Sequence, residues 1–155
     1  MEKKVNFYSV IIGTELLNGR RTDAHFSFLN KQLLQRGWEQ KASFVINDDP
    51  KLMFDIFTLI KSDPNSVMFC FGGIGATPDD YTRQTAARAF TNYKMEFHEE
   101  AKNRILNQFG EEAYPHRVNM AYLPSNAKLL TNVVNNVAGF YLEDRFFFTP
   151  GFPSM

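Results

Sequence analysis

Five apolar residues, Val67-Met68-Phe69-Cys70-Phe71, run straight into Gly72-Gly73-Ile74-Gly75 and then into a helix-like stretch, Arg83–Phe90. A short run with no polar alternation is the pattern of a strand covered on both faces, as in parallel sheets. A strand that turns at glycines into a helix is half of a βαβ unit. The glycines let backbone N–H groups close on an anion. The carboxylates that follow, in Thr77-Pro78-Asp79-Asp80-Tyr81-Thr82, suit a divalent cation held against phosphate. The segment points to a phosphorylated, nucleotide-like ligand.

The rest of the chain repeats the alternation. Val5–Ile12 reads as a strand ending at Gly13. Thr22 or Asp23 can cap a helix with apolar positions Phe26, Leu29, Leu33 and Leu34, ended by Gly37. Trp38–Ile46 reads as a second strand. Asp48 or Asp49 then caps a helix with Pro50 in its first turn and a stripe of Leu52, Met53, Ile56, Phe57 and Ile60. A third helix covers about Asp80–Phe90, and a fourth Glu99–Phe109. Tyr114–Pro124 reads as irregular and Ala127–Val134 as a strand. Two β-type runs around Glu143-Asp144-Arg145 predict a hairpin within Gly139–Thr149. Strand and helix signals in alternation predict an α/β fold with right-handed crossovers. Residues 1–155 make one domain. Its end at Pro150-Gly151-Phe152-Pro153-Ser154-Met155, just after a strand, reads as a C-terminal truncation. A helix packed beside Val67–Phe71 is expected to follow.

Composition removes several alternatives. Lys+Arg and Asp+Glu number 17 each, and no basic run appears, so nucleic acid is not the expected partner. The apolar stretch after Met1-Glu2-Lys3-Lys4 breaks at Gly13-Thr14-Glu15, too soon for a signal peptide or a membrane span. A single cysteine, Cys70, allows no internal disulfide and agrees with a reducing cytoplasm. A P-loop needs Gly-Lys-Ser/Thr, which is absent, and Pro78 stands where the dinucleotide fingerprint needs its third glycine.

Each candidate site residue has a plain alternative. Gly72, Gly73 and Gly75 can form a tight turn without a ligand. Asp80 and Thr82 can cap a helix. Asp48 and Asp49 open another helix at a separate βα turn. In a parallel sheet such turns gather at the strand carboxyl ends, so two acidic turns can share one Mg²⁺ and a phosphate. Glu15 and Asp23 lie on the first turn with Arg20 and Arg21, which can grip phosphate or simply be solvated. His25, His98 and His116 lack metal-ligand spacing and read as surface or capping histidines.

Four segments in order carry a family resemblance: Gly13-Thr14-Glu15-Leu16-Leu17-Asn18-Gly19, Val45-Ile46-Asn47-Asp48-Asp49-Pro50, Gly72-Gly73-Ile74-Gly75 with Asp79-Asp80-Tyr81-Thr82, and Pro150-Gly151-Phe152-Pro153. Over nearly the whole chain this resembles the molybdopterin-binding (MoaB/MogA-like) domain, and most closely the N-terminal part of competence/damage-inducible CinA-type proteins. The resemblance implies a three-layer αβα fold with a mostly parallel sheet, and a homo-oligomer, dimer or trimer. It implies that Asp48 and Asp80 act catalytically through Mg²⁺ or another divalent cation. It implies a binding site from Gly13, Thr14, Glu15, Gly72, Gly73, Gly75, Thr82, Pro150 and Gly151 for a phosphorylated pterin or a nucleotide. The chemistry implied is adenylyl transfer or hydrolysis of a nucleotide pyrophosphate such as ADP-ribose. A non-catalytic binding or oligomerisation module of a larger CinA-like protein is the alternative. Two departures stand out: Ala76 replaces a frequent proline, and His25 stands where CinA-type sequences commonly carry asparagine.

Overall fold

The structure, a computed structural model, describes residues 4–130 and 139–151. In chain order the elements are β1 (Asn6–Ile12), α1 (Thr14–Leu17), α2 (His25–Leu34), β2 (Gln40–Ile46), α3 (Pro50–Ser62), β3 (Ser66–Phe71), α4 (Thr82–Phe90), β4 (Met95–Phe97), α5 (Glu99–Phe109), β5 (Tyr122–Pro124), β6 (Lys128–Leu129), β7 (Phe140–Leu142) and β8 (Phe146–Thr149). Six strands form one sheet in the order β2-β1-β3-β8-β7-β6. The first four run parallel; β7 runs antiparallel to β8, and β6 antiparallel to β7. β4 and β5 make a separate antiparallel pair.

Alternate residues of each strand face opposite layers. Tyr8, Val10, Ile12, Met68, Cys70, Phe140, Phe146 and Phe148 meet Met53, Phe57 and Ile60 of α3 and Ala86 and Phe90 of α4. Phe148 has no exposed surface. It stacks on Phe140 at 4.7 Å and meets Phe57 edge-on at 5.8 Å. Burying a side chain of this size contributes about 1.5–3 kcal/mol. The other face is covered more thinly. There α2 sets Leu29 and Leu33 on Phe7, with Val67, Phe69 and Phe71 alongside. Beyond it a row of rings crosses the sheet: Trp38, Phe7, Phe69, Phe147 and Tyr141, with centroids 5.3–6.2 Å apart. Trp38 is half exposed. The layers are those of the three-layer αβα architecture, with the hairpin β7–β8 in place.

Local chemistry sets several boundaries. The Asp49 carboxylate accepts from the Lys51 and Leu52 N–H groups, with Pro50 in the first turn of α3. Asp23 caps α2 in the same way through the N–H groups of His25 and Phe26. Glu143 and Asp144 both adopt left-handed φ, 55° and 54°, which closes the hairpin tightly.

Several boundaries differ from the sequence reading; the first and third strands begin one residue away, at Asn6 and Ser66. The second strand begins at Gln40 rather than Trp38, because Trp38 is spent on packing against Phe7. The helix expected from Asp80 begins at Thr82, because the Asp80 side chain bonds back to Thr77 and holds a turn there. The segment expected to be irregular holds a 3-10 turn, Arg117–Ala121, and β5. The strand expected over Ala127–Val134 is Lys128–Leu129 among the described residues, and 131–134 lie outside them.

Candidate functional site

Because β1, β2, β3 and β8 are parallel, their carboxyl ends reach one edge of the sheet. The chain changes direction across the sheet between β1 and β3, and a crevice opens at that switch point. Its volume is about 430 Å³. Gly13 and Glu15 after β1, Asp48 after β2, Gly72, Gly73, Gly75 and Asp80 after β3, and Pro150 and Gly151 after β8 all line it. Four segments far apart in sequence thus meet in one cleft.

The glycine loop is built for close approach. Gly72 and Gly73 have φ of +103° and +72°. A Cβ on Gly72 would lie 2.5 Å from the Ile12 carbonyl oxygen, and one on Gly73 would strike the Thr82 hydroxyl. Helix α4 grips the loop from beneath. The Thr82 hydroxyl donates to the Gly72 carbonyl at 3.0 Å, and the Thr82 N–H donates to the Gly73 carbonyl at 3.1 Å. In a trans peptide the C=O and the next N–H point opposite ways. The N–H groups of Gly73 and Ile74 are therefore turned away from α4, and neither donates to another described backbone group. Successive uncommitted N–H groups of this kind have the geometry by which backbone concavities receive anions.

The two aspartates are held alike. Asp48 Oδ2 accepts from the Thr14 hydroxyl at 2.9 Å and the Thr14 N–H at 3.3 Å. Asp80 Oδ2 accepts from the Thr77 hydroxyl at 2.5 Å and the Thr77 N–H at 2.9 Å. The Oδ1 atoms of both take no hydrogen bond from the described residues. Among the described residues no three His, Cys, Asp or Glu side chains gather as a metal cage. Two carboxylate oxygens completed by phosphate and water is an arrangement that Mg²⁺ accepts, so the donor set fits that ion.

Thr14 and Thr82 do not line the cleft; each spends its hydroxyl on holding another site residue. His25 is also apart from it. Its Nδ1 lies 2.8 Å from Asp23 Oδ1, its ring rests on Phe71, and its Nε2 is buried without a partner. Burial works against the Asp23 carboxylate. Hydrogen bonds from the His25 N–H, the His25 ring and the Phe26 N–H outweigh it and hold the carboxyl below its ordinary value. His98 accepts from the Ala101 N–H and caps α5. Cys70 is buried and burial pushes its thiol up, which suits an inert core residue.

Arg83 is the residue that sequence reasoning missed. It is 4% exposed at the base of the loop, where its guanidinium donates to the Gly75 carbonyl at 3.1 Å and to the carbonyls of Asn119 and Tyr122. A signal was present: Arg83, Ala86, Ala87 and Phe90 follow the i, i+3, i+4, i+7 stripe of a buried helix face.

A family model described as a probable molybdopterin binding domain matches residues 9–155. The chain belongs to this family. Among relatives of the molybdopterin-binding domain, it is 31% identical over 150 residues to a CinA-like protein of Geotalea uraniireducens, covering 92% of this chain and 35% of that one. It is 32% identical over 157 residues to a CinA-like protein of Syntrophotalea carbinolica, covering 96% and 37%. The chain thus spans little more than a third of the length of these relatives. The solved structure of CinA from Thermoplasma acidophilum superposes with a TM-score of 0.86 at 24% identity, over 96% of this chain and 89% of that one. The molybdopterin biosynthesis enzyme MoaB of Thermus thermophilus gives 0.58 at 13% identity, over 97% and 84%. These likenesses show that the molybdopterin-binding domain here has the MogA/MoaB-like fold. Among the described residues no helix is long and apolar enough to cross a membrane.

Proposed function

We propose that this domain binds a phosphorylated pterin or a nucleotide at the carboxyl edge of its sheet and, with Mg²⁺, breaks or forms a phosphoanhydride there. The observation that carries this reading is convergence. A loop of inward-turned N–H groups and two aspartates from separate βα turns line one cleft. In hydrolysis of a pyrophosphate such as ADP-ribose, a water oxygen bonds to one phosphorus and the P–O–P bridge breaks. The bridging oxygen leaves with the other phosphate, and a cleft carboxylate such as Glu15 accepts the proton of the water. Adenylyl transfer uses the same parts: a phosphate oxygen bonds to the α-phosphorus of ATP, the α–β bridge breaks, and pyrophosphate leaves. When bound, Mg²⁺ would neutralise charge developing on the phosphate oxygens. Gly73 and Ile74 orient the phosphate, and Asp48 and Asp80 offer their uncommitted oxygens to the metal.

A second reading is a binding or oligomerisation module without chemistry. One observation favours it: Thr14 and Thr77 tie both aspartates into turns. Assembly into a homo-oligomer fits either reading and is supported by the row of rings beside α2, where Trp38 is half exposed and Phe69, Phe147 and Tyr141 are only partly buried. Melting curves with ADP-ribose, ATP or molybdopterin, with and without Mg²⁺, are the test, joined to an assay for AMP released from ADP-ribose and pyrophosphate released from ATP. Metal-dependent stabilisation with turnover is expected. Stabilisation without turnover would favour the module, and no stabilisation by any of the three would sink both readings.

A further inference from the structure

Arg83 is a buried cation without an acid to pair with. Its residue surface is 4% exposed, and among the described residues no carboxylate lies within 4.0 Å of its guanidinium. The acid whose charge it feels, Asp80, is already bonded to Thr77. Its three acceptors are backbone carbonyls, and its Nε–H has no partner. Unpaired buried charge is costly, and folds retain it where something else supplies the compensation.

The placement shows what that is. The Gly75 carbonyl is turned down onto Arg83 at 3.1 Å, so the Ala76 N–H of the same peptide is turned the other way. Ala76 lines the cleft, and its N–H donates to no other described group. The other carbonyls held by Arg83, Asn119 and Tyr122, flank the Met120–Ala121 segment, and Met120 also lines the cleft. One side chain therefore ties two separate parts of the cleft lining together and puts a positive charge behind the Gly75–Ala76 peptide.

We propose that Arg83 is the positioning residue of the anion subsite: it fixes the Gly75–Ala76 peptide with its N–H toward the cleft, and a bound phosphate or pyrophosphate is its missing counter-charge. This rests on the reading of the cleft as an anion site. The ligand does not touch Arg83; the residue acts through the peptide and through its field, which is strong in a poorly hydrated interior.

Calorimetric titration of the whole chain with inorganic pyrophosphate tests it. Arg83→Gln should weaken binding about tenfold or more, the scale of one charge-assisted interaction. Arg83→Lys, which keeps the charge but not the fork on three carbonyls, should lose clearly less than Arg83→Gln. A residue that merely braced the fold would not be rescued by charge, so equal losses in the two variants would overturn the proposal, as would unchanged affinity in Arg83→Gln. The unaltered protein supplies a reading that needs no variant. The Arg83 Nε–H resonance should shift on pyrophosphate binding, and a stationary resonance at saturation would also overturn it. If the unaltered protein bound no pyrophosphate, the anion-site reading itself would fall. Binding with an unresponsive Arg83 would remove only the role given to this residue.

Discussion

Asp80 takes its role from its neighbours rather than from its position in the chain. Before a helix, an aspartate is an ordinary cap. Here Thr77, three residues back, engages one oxygen and leaves the other at the cleft. Asp80→Asn keeps an acceptor for Thr77, so stability should change by no more than about 0.5 kcal/mol, while Mg²⁺-dependent tightening of ADP-ribose binding should vanish. Asp48→Asn should do the same through Thr14. Titrations with and without Mg²⁺ will show it, and an effect at one aspartate alone would mean that the two do not share a metal. Asp63 lies at the other end of the sheet. Its carboxyl is lowered to about 2, chiefly by the Tyr8 hydroxyl and then by the Asn65 N–H and the Asn6 amide, against some burial. A lowered carboxyl stabilises the fold above its unfolded value near 4 and loses that contribution as pH falls towards 2. Asp63→Asn should therefore lower the melting temperature at neutral pH by a few degrees, roughly 1 kcal/mol after solvent screening. The gap should close between about pH 4 and pH 2; a gap that stayed constant with pH would mean that the charge is irrelevant. Glycines and acids of the cleft are legible in the sequence because their residue types are unusual at strand ends. Arg83 is harder to read: it falls on the Arg83, Ala86, Ala87, Phe90 stripe, yet an arginine in a helix usually faces water.

Elements long enough to show a period are legible in the same way. The stripe of α3 is buried at Met53, Phe57 and Ile60 and partly at Ile56, while Leu52 lies exposed one position off that face, and the apolar run of β3 alternates buried and half-buried residues. Strands β4 and β5 have three residues each, too few for alternation to show; they exist because the backbone groups of Met95–Phe97 find partners in Tyr122–Pro124. The hairpin carries the sharpest test of face assignment. Phe148 and Phe147 are adjacent in β8, yet one is fully buried against α3 and the other lies on the open face. Phe148→Ala should destabilise the fold by about 3–5 kcal/mol, the range for a buried phenylalanine, and Phe147→Ala by less than half as much. Urea unfolding measures both, and equal losses would mean that the α2 side of the sheet is more thoroughly covered than it stands here.

At the scale of the whole molecule the asymmetry of the two layers matters most. Helices α3 and α4 shield one face and α2 alone the other, and an apolar aromatic row of this kind is a surface that favours association. If copies of the chain assemble through it, Phe147→Asp should lower the sedimentation coefficient while leaving the fold intact. An assembly that survived the change would have its interface elsewhere. Strand order was the least legible property, since nothing local says that β8 seats itself beside β3. That seating joins distant parts of the chain: the Arg145 side chain, at the start of the hairpin's second strand, donates to the Ser66 carbonyl 79 residues earlier. Long closures of this sort are slow to form. On a ribosome, β1, β2 and β3 can assemble while β3 still presents a bare, apolar edge, the kind of template that captures stray strands. That edge stays open until the hairpin emerges, and Gly151, which closes the cleft against Gly72, emerges later still. A newly made chain is therefore most vulnerable to aggregation just before it acquires its ligand site, and ligand arriving during synthesis finds nothing to bind until that danger has passed.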